Sequence, residues 1–135
     1  MKRLALTMFA VAVFLTVFAS YAGAFTMSEK VVVSNELIAV ARVSAGGYSA
    51  EERINLVNER LAYILGYEPL APRYIQVRAM RDGSRAITVG DRLLITVTAA
   101  DARANNTTIP VLAGVWLAHA RQALPQARPN ANLIG

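Results

Sequence analysis

The chain contains no cysteine and a single histidine, His119. The first absence excludes a disulfide framework and a lipid-modified N-terminal cysteine. The second leaves no basis for a zinc site, because one histidine without cysteines or clustered carboxylates does not complete a ligand set. No internal repeat and no low-complexity tract is present. A serine–histidine–acid arrangement cannot be assembled either: Ser49 is used at a helix start, and His119 falls within an apolar helical stripe. Glu51 and Glu52 are neighbours on a helix and point in different directions, so they do not make a carboxylate pair for glycoside chemistry. The expectation is a protein without catalytic residues, metal or cofactor.

What is present begins at the N-terminus. Met1-Lys2-Arg3 is a positive start, residues 4–18 are apolar apart from two threonines, and Ala22-Gly23-Ala24 is a small-x-small exit. This is the anatomy of a secretory signal peptide over residues 1–24, with cleavage before Phe25. The address is periplasmic or secreted. The alternative is a retained anchor, since residues 4–25 are long enough to span a bilayer, which takes about 20 residues. No second apolar span follows.

The whole chain has 14 basic and 9 acidic residues and a net charge of +5. Lys2 and Arg3 leave with the leader, so the exported part carries +3, with Lys30 its only lysine. Dispersed arginines at that charge, on an exported chain, argue against nucleic acid as a partner. Membrane contact is expected only if the leader is uncleaved. The remaining residues suffice for one small domain held together by packing alone.

Residues 25–35 read as a linker followed by a short strand, Val31-Val32-Val33. Ser34-Asn35 is a turn signal, and residues 37–43 are a second strand-like run. Ser49-Ala50-Glu51-Glu52 is a capping box that opens a helix. Ile54, Val57, Leu61, Ile64 and Leu65 form its apolar stripe, and Gly66 suits a left-handed stop. Pro69 and Pro72 make residues 68–73 a loop. Three strands follow, over residues 74–80, 85–89 and 93–98. A two-residue turn at Asp82-Gly83 would put apolar residues on a polar face. A three-residue loop, Asp82-Gly83-Ser84, pairs Ala79 with Ile87 and Val77 with Val89 instead. A further loop at Gly90-Asp91-Arg92 pairs Ile87 with Ile95. Thr98-Ala99-Ala100-Asp101 resembles a second capping box. Thr108 and Pro110 start the last helix, whose apolar face carries Leu112, Val115, Trp116, His119, Ala120 and Ala123. Pro125 ends it, and residues 125–135 read as a disordered tail. Residues 36–124 are thus one α+β domain: a two-layer sandwich, its antiparallel sheet carrying two amphipathic helices on one face.

Three segments carry a resemblance. Ser49-Ala50-Glu51-Glu52-Arg53 with Asn58-Glu59-Arg60-Leu61 resembles an "SAxxRA…xxRL" helix signature, with Ile54 in place of its final alanine. Residues 89–98 with Asp101-Ala102 resemble "vGdrxlxTVTxxDA", and residues 112–124 resemble "LAxxWxxxLRxAL". Together they are similar to the extracytoplasmic domain that precedes the channel in some small-conductance mechanosensitive channel proteins. The resemblance covers roughly residues 31–124. It implies a sensing or interaction module, while pore activity does not carry over to a chain without the channel.

The candidate ligand or partner contacts are Gly46, Gly47, Tyr48, Arg78, Met80, Asp91 and Arg92. The glycines permit close backbone approach beside a helix N-terminus that favours an anion, although a plain strand-to-helix turn is the simpler explanation of them. Asp91 and Arg92 sit in a turn, and Asp101 is most simply a cap. His119 is expected to be a hydrogen-bonded core or seam residue, with pH sensing as its alternative. The reading is an exported, non-enzymatic binding module whose partner is an envelope protein or a small ligand. Two alternatives stand beside it. One is a small enzyme or enzyme inhibitor using the Gly46–Ser49 loop with Arg92, and the other a membrane-anchored accessory subunit.

Overall fold

The first described element begins at Glu29. The structure, a computed structural model, describes residues 29–128. The expected leader over residues 1–24, residues 25–28 of the expected linker and residues 129–135 lie outside the described residues.

Strands β1 (Glu29–Val33) and β2 (Glu36–Ala41) form a hairpin. Its turn residues, Ser34 at φ 51° and Asn35 at φ 63°, are both left-handed, the geometry whose twist matches paired strands. Val31, Val33, Ile38 and Ala41 are buried, so the first strand belongs to the domain and not to a linker. Helix α1 (Ala50–Tyr67) opens with the expected capping box: Ser49 Oγ accepts from Glu52 N, and the Glu52 carboxylate accepts from Ser49 N. Its stripe buries Ile54, Val57, Leu61 and Ile64, each worth roughly 1.5–3 kcal/mol on leaving water.

Gly66 does not stop α1. The helix runs on to Tyr67, and Glu68 caps it in an extended conformation. Two side-chain interactions favour the extra turn. The Tyr63 and Tyr67 rings lie 4.8 Å apart, and the Arg128 guanidinium donates to the carbonyls of Ile64 and Leu65. A 3-10 turn at Pro72–Tyr74 leads into β3 (Ile75–Ala79), β4 (Arg85–Val89) and β5 (Arg92–Val97). Helix α2 (Ala99–Ala104) has the second capping box, Thr98 with Asp101. Helix α3 (Ile109–Ala123) starts after Thr108, whose side chain makes no capping bond, and carries Pro110 in its first turn.

The fold is α+β, as the sequence pattern implies, with the strands divided between two antiparallel sheets, β1-β2 and β3-β4-β5. Helix α3 packs against β2 and against the three-stranded sheet, and α1 against β1, β2 and β5. The β3–β4 register is Val77↔Ile87 and Ile75↔Val89, two residues away from the expected pairing. A two-residue slip preserves the face, so Ile75, Ile87 and Val89 are buried as expected, while Ala79 is left exposed. The cause is local. Asp82 Oδ1 accepts from Ser84 N and Ser84 Oγ, Gly83 takes φ 86°, and the loop lengthens to residues 80–84.

Between β4 and β5, Ile87 pairs with Ile95 as expected, but a bulge then brings Val89 opposite Arg92. The bulge turns Leu94 fully inward and leaves Leu93 half-buried. On α3, Leu112, Trp116, Ala120 and Ala123 are buried with Ala113, whereas Val115 faces solvent. Residues 125–128 are not part of a frayed tail: Leu124–Ala127 is a 3-10 turn, Leu124 is fully buried, and Arg128 reaches back to α1.

Candidate functional site

Arg53 sits one turn before Val57 on the buried side of α1, where a guanidinium needs partners. It finds them in Asp101. Nη1 donates to Oδ1 and Nη2 to Oδ2, both at 2.7 Å, a bidentate fork with the carboxylate completely buried. Arg53 also donates to the carbonyls of Val43 at 2.9 Å and Thr96 at 3.3 Å. Asp101 Oδ2 accepts from Thr98 N and Thr98 Oγ1, both at 2.9 Å. The expected capping role of Asp101 is therefore present, with an ion pair added to it.

Two other arginines of the sequence motifs also reach main-chain oxygens. Arg60 Nη1 lies 3.4 Å from Leu94 O, and Arg121 Nε donates to Ile75 O at 3.0 Å. Trp116 is buried in the core. The side chains that make the motifs recognisable thus hold helices to sheet.

A cleft of about 220 Å³ opens beside Arg53. One wall is the turn at residues 45–48, the second is Leu56, Val57 and Arg60 of α1, and the third is Ile95, Thr96 and Thr98. Ala45 and Tyr48 exchange backbone hydrogen bonds of 3.0 and 3.1 Å, and Gly46 and Gly47 both take positive φ between them. That tight turn accounts for both glycines. It holds Tyr48 half exposed at the rim. Asp82 enters from the β3–β4 loop. The Ser84 hydroxyl, at 2.6 Å, holds its carboxyl below the ordinary value, aided by the Ser84 amide. The unspent polar groups here include the Tyr48 hydroxyl, the remaining N–H groups of Arg60, the Thr96 hydroxyl and Asp82 Oδ2.

A second cleft, of about 410 Å³, lies between the α1–β3 connection and the β4–β5 turn. Arg78 and Asp91 line it with Glu68, Tyr74 and Gln76, and Arg78 Nη2 stands 3.9 Å from Asp91 Oδ1. Both groups are well exposed, so this pair contributes little. Gly90 is required there: its φ is 56°, and a Cβ would meet Glu68 Oε2 at 2.5 Å.

The seven candidate residues therefore do not form one site. Gly46 and Tyr48 line the first cleft, with Gly47 beside them, and Arg78 and Asp91 line the second. Arg92 lines neither. Its guanidinium lies 4.2 Å over the Tyr63 ring, donates to Tyr63 Oη at 3.0 Å and is 3.5 Å from Glu68 Oε1. Met80 is exposed outside both clefts. His119 Nδ1 lies 3.4 Å from Ile38 O, in the seam between α3 and β2. Sequence reasoning missed Arg53, Arg60 and Asp82. Arg53 carried a usable signal, since it continues the Val57–Leu61–Ile64 stripe and so demands a buried acid.

Among the described residues, no cluster of three or more histidines and carboxylates is placed to hold a metal ion. Among the same residues, no helix is long and apolar enough to cross a membrane. Residues 30–127 match a family model described as a domain of unknown function, DUF8459. No curated protein matches the chain, and no solved structure does.

Proposed function

The chain belongs to the DUF8459 family, and from that starting point we propose that it is a non-enzymatic binding module acting outside the cytoplasm. The observation that carries the reading is the division of labour among its polar side chains. Arg53 and Asp101 are consumed by the fold, whereas Tyr48 and Arg60 present free polar groups to an open cleft. The cleft combines a guanidinium and a phenol with an apolar wall of Leu56, Val57 and Ile95. That combination suits a small ligand with an anionic group and a short apolar part. Its lining supplies recognition groups and no nucleophile paired with a base, which supports binding over catalysis.

The similarity to the extracytoplasmic domain of mechanosensitive-channel-like proteins is part of the same proposal. It is supported by Arg53, Arg60, Asp101, Trp116 and Arg121, which here build helix–sheet contacts. It therefore bears on a shared fold, and the ligand is this chain's own. The leader over residues 1–24 supports the extracytoplasmic address.

The test is an NMR titration of the protein with N-acetylated aliphatic amino acids and short-chain fatty acids. The reading predicts shifts confined to Gly46, Tyr48, Arg60 and Thr98, abolished by Arg60→Met. Shifts scattered over the surface, or none with any of these probes, would count against the cleft as a site.

A further inference from the structure

The two free edges of the three-stranded sheet are treated differently. In an antiparallel pair, residues alternate between those whose N–H and C=O face the partner strand and those whose groups point away. Tyr74 O accepts from Gly90 N at 2.9 Å, and Met80 N donates to Ser84 O at 2.9 Å. With Gln76↔Thr88 and Arg78↔Ala86 between them, the even-numbered residues of β3 face β4. Ile75, Val77 and Ala79 therefore turn their backbone groups outward. The same alternation on β5 sends the carbonyls of Leu94 and Thr96 outward, and both are occupied, by Arg60 and Arg53. On β3 only Ile75 O is occupied, by Arg121.

Among the described residues, the outward N–H and C=O of Val77 and Ala79 meet no strand, because β3 pairs there with β4 alone. Ala79 is exposed and Val77 half-buried. An edge with unpaired backbone groups is a template for an added strand.

Charge selects the occupant. Between residues 73 and 85 the chain carries Arg73, Arg78, Arg81 and Arg85 against one acid, Asp82, whose carboxylate is turned to Ser84. The hairpin thus concentrates positive charge in a chain whose excess is small. A second copy pairing β3 on β3 would bring these arginines together, and like charges across strands are unfavourable. We infer that the β3 edge receives an extended acidic segment of another polypeptide as a fourth strand. The backbone groups of Val77 and Ala79 supply the ladder, and Arg78 and Arg81 meet carboxylates on the incoming strand. The β3 edge lies across the sheet from β5, and Val77, Arg78, Ala79 and Arg81 line no part of the Tyr48 cleft, which takes only Asp82 from the β3–β4 loop; the inference therefore stands whether or not the cleft takes a ligand.

The test is hydrogen exchange, resolved to single amides, with two nine-residue peptides. One alternates valine with glutamate, and the other has lysine in place of each glutamate. The expected result is at least tenfold slower exchange at Val77 and Ala79 with the glutamate peptide and no change with the lysine peptide. Val77→Pro removes one outward N–H without touching the β3–β4 ladder and should abolish the protection. Should that variant unfold, Arg78→Glu with Arg81→Glu, both at exposed positions, should reverse the preference to the lysine peptide. Equal protection by both peptides, protection elsewhere, or none overturns the inference. Protection that grows with protein concentration before any peptide is added also overturns it, in favour of a second copy.

Discussion

Arg53 and Asp101 are 48 residues apart in sequence and meet through two 2.7 Å hydrogen bonds that tie α1 to the start of α2. Removing one partner leaves the other charge buried and unpaired, at a cost of about 3–5 kcal/mol. Asp101→Asn should lower the urea-derived stability by that order. Arg53→Met combined with Asp101→Leu should cost less than the two single losses added together. A loss below about 1 kcal/mol in Asp101→Asn would contradict the assigned role.

Gly90 tests the packing of the β4–β5 turn. Its positive φ alone makes alanine unfavourable by about 1–2 kcal/mol. The contact with Glu68 Oε2 adds to that. Gly90→Ala should therefore destabilise the protein, and Glu68→Ala should recover part of the loss but not all of it. Thermal unfolding of both variants checks this, and full recovery would show that backbone conformation is irrelevant there.

Among the described residues, the buried Thr88 hydroxyl has no hydrogen-bond partner. Burying an unpaired hydroxyl costs about 1–3 kcal/mol, and valine keeps the shape while removing the group. Thr88→Val should raise the unfolding temperature by several degrees, since about 1 kcal/mol moves a domain of this size roughly 4–8 °C. A lowered temperature would mean that the hydroxyl is satisfied.

The Asp82 carboxyl is held below its ordinary value by the Ser84 hydroxyl and amide. Native chains therefore bind fewer protons than unfolded ones as pH falls through the carboxylate range. This stabilising contribution is complete above the ordinary carboxylate pKa and is lost as pH drops through the lowered native value. The stability gap between the protein and Ser84→Ala should accordingly narrow as pH is taken from about 5 to about 2. A gap independent of pH would mean that the Ser84 hydroxyl acts only through packing.

Local signals were legible in the sequence where a short stretch decides its own conformation. Ser49 with Glu52, Thr98 with Asp101, and the Ser34-Asn35 turn all form as their chemistry dictates. The face of the three-stranded sheet was legible because alternation constrains parity. Its register was not, because the Asp82–Ser84 bonds lengthen a loop without changing any hydrophobic residue. The Arg53–Asp101 pair joins distant segments, so no window of sequence contains it. The candidate site was legible at Gly46 and Tyr48 but not at Arg60, which reads as an ordinary solvent-facing helical arginine. Arg78 and Arg92 point to regions away from that cleft, and only the fold separates them.

A binding module of this kind must leave the cytoplasm and meet its ligand outside it. The most direct measurement is the intact mass of the native protein together with the fraction that yields it. A mass matching residues 25–135 in the soluble extracytoplasmic fraction is the predicted result. The full 135-residue mass in the cytoplasm or the membrane would contradict it, and in the membrane would point to an anchored accessory subunit.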